Sequence, residues 1–146
     1  MTHFMGAAVV FRTDASLQIG TGHVMRCLTL AAELGRRGGR CHFVCRAHDG
    51  NLIEHIARQG HAVSTLPLES GAPLQSGAGY APWLGCDWQM DARQTVAALG
   101  GQKPDWLVVD HYAVDADWES ELRAHVTRIL VIDDLANRSH SCDLLL

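Results

Sequence analysis

The chain has 146 residues, 47% of them hydrophobic and 19% charged, which suits one globular domain and excludes a disordered composition. Its formal charge of −4 offers no basic field to nucleic acid or anionic lipid, so any phosphate site must be local, built from a loop and one or two arginines. No apolar run nears the ~20 residues that cross a bilayer, and the N-terminus lacks the charged start and apolar core of a signal peptide, so the expected location is the cytoplasm.

In chain order, Ala7 to Arg12 form a short apolar run, as a strand buried on both faces requires. After a loop at 13–22 comes a helix over 23–37, with Val24, Cys27, Leu28, Ala31 and Leu34 at helical spacing. Arg36 and Arg37 suit its C-terminal dipole, and Gly38 and Gly39 end it. Residues 41–46 read as a strand, 51–59 as a short helix ended by Gly60, and 61–66 as a third strand. Cys41 and Cys45 share a strand face with Phe43, where a free thiol packs as a small hydrophobe. With Cys27, Cys86 and Cys142 they make no CxxC pair and fit no zinc module.

Residues 67–85 have no periodicity and are rich in Gly, Ser, Ala and Pro, which predicts a poorly ordered functional loop. A helix at 87–99, a strand at 106–110, a helix at 118–125 and a strand at 128–133 follow, with a last strand starting near Asp143. Strands alternating with helices predict βαβ units: a parallel sheet, flanked by helices, with the first strand central. The end on Leu144, Leu145 and Leu146 suggests a cut, so 1–146 is expected to be the N-terminal Rossmann-like domain of a larger protein.

Ligands of open α/β sheets bind beyond the carboxyl ends of the strands. Three polar clusters fall there: Arg12-Thr13-Asp14 with Gly20-Thr21-Gly22-His23, then Asp110-His111-Tyr112, then Asp133-Asp134. Gly20 and Gly22 before a helix let backbone approach an anion, or they are a plain turn; the spacing matches neither the dinucleotide fingerprint nor the Walker loop, which excludes NAD and ATP as default ligands. His23 opens the helix, where the dipole disfavours an imidazolium, as a general base needs; capping or packing is the competing role. His111 is a second candidate, whereas His3, His48 and His55 read as exposed or loop residues. Asp133-Asp134 could hold Mg2+, but capping and a salt bridge to Arg138 are the favoured roles. Of the tryptophans, Trp88, Trp106 and Trp118 are expected in the core, and Trp83 in a loop that can close over a ligand.

The run from Phe11 to Ala31, a strand followed by R-x-D and then I-G-x-G-H-x-x-R, resembles the UDP-2,4-diacetamido-2,4,6-trideoxy-beta-L-altropyranose hydrolases of pseudaminic acid biosynthesis. Asp110-His111-Tyr112 and the pattern from Asp133 through Arg138, His140 and Cys142 to Asp143 match that family's later motifs. The resemblance implies the N-terminal half of a two-domain GT-B architecture whose missing second domain binds UDP. It implies hydrolysis at the anomeric carbon with inversion, without metal or cofactor, and His23 as the base that activates water. It further implies that Asp14 orients His23 or a sugar group, that Gly20 and Gly22 bring the loop to the ligand, that Arg26 holds a phosphate or sugar oxygen, and that Tyr112 contacts the sugar. A glycosyltransferase or spore-coat polysaccharide protein with the same N-terminal half, and a non-catalytic fragment, are the alternatives.

Overall fold

A computed structural model describes residues 6–68 and 79–146. The elements run β1 (Ala8–Thr13), α1 (Gly22–Arg36), β2 (Arg40–Arg46), α2 (Ile53–Arg58), β3 (Ala62–Leu66), α3 (Trp88–Ala98), β4 (Trp106–Asp110), α4 (Ala116–Leu122), β5 (Arg128–Val131) and β6 (Leu144–Leu145). Every pairing is parallel, in the order β3-β2-β1-β4-β5-β6. This is the doubly wound, Rossmann-like arrangement, with β1 central as expected.

Alternate residues of β1 explain the two layers. Val9 and Phe11 pack with Val24, Cys27, Leu28, Ala31 and Leu34 of α1, Phe43 and Cys45 of β2, and Ile56 of α2. Val10 packs on the opposite side with Ala92 of α3 and with Trp118 and Leu122 of α4. Phe11 and Phe43, in register across β1 and β2, stack with centroids 4.7 Å apart. The cysteines are free; Cys45 is buried beside Phe43, and Cys41 packs against the same cluster.

Several boundaries differ from the periodicity, and the starts of α4 and α2 have a local reason. Helix α4 starts at Ala116, ahead of the expected Trp118, because the Asp115 carboxylate accepts from Asp117 N–H at 3.0 Å and caps it. It tightens into a 3₁₀ turn at Arg123–His125. Helix α2 starts at Ile53, where Asn51 Oδ1 accepts the Ile53 N–H at 3.0 Å. Strand β5 closes at Val131 instead of Asp133. Of the loop expected at 67–85, residues 69–78 lie outside the described residues. Its last part is ordered: Ala81–Leu84 is a 3₁₀ turn that buries Leu84 against the α3/α4 layer. Among the described residues no helix is long and apolar enough to cross a membrane.

The strand order reverses at β1, since β2 lies on one side and β4, the fourth strand of the chain, on the other. The carboxyl ends of β1 and β4 therefore flank the switch point of the sheet, where such folds open a crevice.

Candidate active site

The loop leaving β1 is shaped by its own backbone. Ser16 Oγ accepts from Ile19 N–H at 2.8 Å, and Gly20 N–H returns to Ser16 O at 2.8 Å. Gly20 has φ +83°, a conformation that side chains with a Cβ resist. Gly22 is helical, so no backbone strain demands glycine there; both positions face open space. The loop delivers His23 to the first turn of α1.

His23 meets the end of β4. Its Nδ1 lies 2.6 Å from Asp110 Oδ1. Arg26, one turn further along α1, donates through Nη2 to the same oxygen at 2.7 Å and through Nε to Oδ2. Burial pushes the Asp110 acid upward, but the hydrogen bonds from Arg26 and His23 outweigh it and hold the group below the usual carboxylate range. An ionised carboxylate only accepts, so Nδ1 carries a hydrogen and, in the neutral ring, Nε2 keeps its lone pair. Among the described residues no hydrogen bond occupies that nitrogen.

Tyr112 stands edge-on to the His23 ring, 4.4 Å between centroids at 88°. Its hydroxyl donates to Asp134 Oδ1 at 2.5 Å, and Asp134 Oδ2 lies 3.6 Å from Arg26 Nη1. The three clusters at the carboxyl edge thus meet at one place: His23 and Arg26 after β1, Asp110 and Tyr112 from β4, Asp134 after β5.

Asp14 is elsewhere. It is 1% exposed and does not reach His23; the carboxylate that does so is Asp110. The Asp14 oxygens are taken by Arg12 Nη1 and Arg46 N–H, each at 2.7 Å, by His111 Nε2 at 2.9 Å and by His48 Nε2 at 3.2 Å. Asp14 therefore does not orient His23; it anchors a buried ion cluster. Arg12 and Arg46 both reach Asp91 of α3, at 2.5 and 2.8 Å, and Trp118 Nε1–H donates to the same carboxylate at 2.9 Å. Burial raises the Asp14 acid, and Arg12, His111 and His48 pull it well below its ordinary value.

His111 has both ring nitrogens engaged. Nε2 faces Asp14, and Nδ1 accepts the Ala113 N–H at 3.1 Å. That pair of bonds requires the neutral ring protonated at Nε2, and burial lowers its proton affinity in agreement. His111 thus has no free nitrogen for base work. His48, expected in an exposed loop, is buried in the same cluster, and His55 lies on α2. Asp133 takes the bland role: it caps Leu135 N–H at 3.0 Å, pairs with Arg138 at 3.2 Å and meets His140 Nε2 at 2.8 Å. The other face of His140 rests on buried Glu119 at 2.7 Å, which ties the segment after β5 to α4.

The partnership of His23 with Asp110 joins residues 87 apart and depends on β1 lying beside β4, which periodicity cannot reveal. Asp91, Arg46 and His48 also escaped the sequence reading. The available signal was an acid between Trp88, Ala92 and Thr95 on the inner side of α3, with arginines at the ends of two apolar strands to match it. Tyr80, at the end of an aperiodic stretch, left no signal.

Fold and site together define a doubly wound α/β domain with a histidine–aspartate pair at its switch point. Over 139 residues, 94% of the chain, the sequence is 30% identical to UDP-2,4-diacetamido-2,4,6-trideoxy-beta-L-altropyranose hydrolase of Campylobacter jejuni. The chain spans 40% of that relative's length. No protein-family model matches the chain.

Proposed function

We propose that this chain is the catalytic-base domain of a UDP-sugar hydrolase acting on a diacetamido-trideoxy sugar, within a GT-B protein whose second domain binds UDP. The observation that carries the reading is His23, held by Asp110 at Nδ1 with Nε2 unpaired at the switch point. The 30% identity to an enzyme of that name supports the substrate class.

In this reading a water oxygen attacks the anomeric carbon while its proton passes to His23 Nε2. The bond from that carbon to the diphosphate oxygen breaks, and its electron pair leaves with UDP. Asp110 holds the ring in the productive tautomer and stabilises the imidazolium as it forms. Attack opposite the leaving group inverts the anomeric centre. Tyr112 lines the sugar beside His23, while the open space at Gly20 and Gly22 admits the ligand to the loop. Arg26 is committed to Asp110 through Nε and Nη2, while Nη1 makes only a 3.6 Å ion pair with Asp134 and can turn to a sugar or phosphate oxygen.

The test is incubation of the protein, expressed over its complete reading frame, with the UDP-sugar in 18O-labelled water and no acceptor. Stoichiometric UDP, with the label at the anomeric carbon of the free sugar, is the expected result. Label in the UDP places the attack at phosphorus and overturns attack at the anomeric carbon; turnover only after an acceptor sugar is added overturns hydrolysis and indicates a glycosyltransferase.

A further inference from the structure

The rings around His23 do not stop at Tyr112. Trp83 lies nearly parallel to Tyr112, with centroids 5.9 Å apart at 23°. Tyr80 packs edge-on against both, at 5.1 Å from Tyr112 and 4.6 Å from Trp83. All three are only partly buried and belong to neither core layer. They form a continuous apolar wall that begins at His23 and extends onto the turn before α3.

The wall is held firmly from behind. Leu84 is buried in the α3/α4 layer, and Asp87 caps α3 by accepting Met90 N–H at 2.7 Å. Between them Gly85 has φ +82°, and a Cβ there would come within 2.9 Å of His48 Cε1 and 3.2 Å of Arg46 Cδ. The turn thus lies directly on the buried Arg12–Asp91–Arg46–Asp14–His48 cluster, which the proposed chemistry does not otherwise use. Aromatic rings fixed this way lose little freedom when a ligand covers them.

The three partly buried rings recognise hydrocarbon, and the rim supplies one strong acceptor, the Asp134 carboxylate. An acetamido group matches both, with a methyl for the rings and an amide N–H for the carboxylate. A phosphate matches neither. We propose that Tyr80 and Trp83 extend the Tyr112 surface into a sugar-binding wall for the acetamido-bearing face of the glycosyl group, and so set the sugar specificity of this site. The inference rests on the UDP-sugar reading above and names the part of the substrate that the wall takes.

The experiment uses the protein expressed over its complete reading frame, with the UDP-linked diacetamido-trideoxy sugar and its analogue bearing free amines. Initial rates of UDP release are combined with saturation-transfer NMR on the acetamido methyl protons. Trp83→Ala is expected to raise KM for the diacetamido substrate about tenfold, the scale of a lost hydrocarbon contact in a binding pocket, and to shrink the preference over the free amine by about the same factor. Trp83→Phe keeps a ring and should stay within about threefold of wild type, and inhibition by UDP alone should be unchanged in both variants. Methyl saturation should be strong in the wild type and weak in Trp83→Ala. Unchanged KM and unchanged methyl saturation in Trp83→Ala, with hydrolysis intact, would overturn the wall and leave the hydrolase reading standing. If the wild type releases no UDP, the hydrolase reading falls; methyl saturation that depends on Trp83 would still uphold the wall, and its absence would overturn it.

Discussion

Asp110→Asn changes one oxygen to an NH2 and separates the proposed mechanism from a purely structural role. The wild-type carboxylate accepts from His23 Nδ1 at 2.6 Å, from Arg26 Nη2 at 2.7 Å and from Arg26 Nε, so all its neighbours donate. An amide cannot satisfy that set. With its oxygen toward Arg26 Nε, its NH2 opposes Arg26 Nη2, faces His23 Nδ1 and drives the hydrogen to Nε2, where it blocks the nitrogen that must accept a proton. With the amide reversed, its NH2 opposes the Arg26 Nε donor. Loss of a general base lowers kcat by ~10²–10⁴-fold, and Asp110→Asn should fall in that range with KM little changed. His23→Ala should fall in the same range, and the double variant should be hardly slower than either alone, since the two residues act as one unit. The cost in stability should be about 1–2 kcal/mol, below the full penalty of a broken buried pair, because the Arg26 side chain is 36% exposed and can turn to water. The assay is UDP release by the protein expressed over its complete reading frame, with thermal unfolding as the control for folding. Asp110→Asn with kcat within about threefold of wild type would refute the dyad, as would additive losses in the double variant.

Asp91→Ala should cost about 3–5 kcal/mol in urea unfolding, because it removes the carboxylate that Arg12 and Arg46 share and leaves Arg46, whose side chain is 0% exposed, without its ion-pair partner. Gly85→Ala, at φ +82° and against His48, should lower stability by about 1–3 kcal/mol in the same measurement, whereas Gly22→Ala, with open space around it, should not. Stability should decline in two stages on acidification, seen as Tm against pH. Because burial lowers the folded-state proton affinity of His111, the unfolded chain takes up its proton first as pH falls below about 6.5, and His111→Gln should reduce that slope. Asp14, Asp91 and Asp110 have lowered folded values, so their contribution is complete above about 4 and is lost as pH falls from there through those values.

The alternation of apolar runs with helical periodicity was enough to specify a parallel sheet, because a strand buried on both faces and a helix with one apolar side each carry their burial pattern locally. The placement of His23 in the first turn of a helix was legible for the same reason: Gly20 and Gly22 precede it, and Val24, Cys27 and Leu28 follow at helical spacing. Helix starts set by a side-chain cap, as at Asp115 before α4, are weaker signals, since the cap acts through one hydrogen bond and leaves the period unchanged. What faces what is a different matter. Asp14 follows β1 and Asp110 ends β4 beside the switch point, and only the pairing of β1 with β4 and the pitch of α1 bring Asp110 to His23 and turn Asp14 toward Arg12, His48 and His111. The burial of Arg12, Arg46 and Asp91 was likewise decided in three dimensions. An isolated charge is costly to bury, so each becomes acceptable inside only once the fold has brought its partners from other elements.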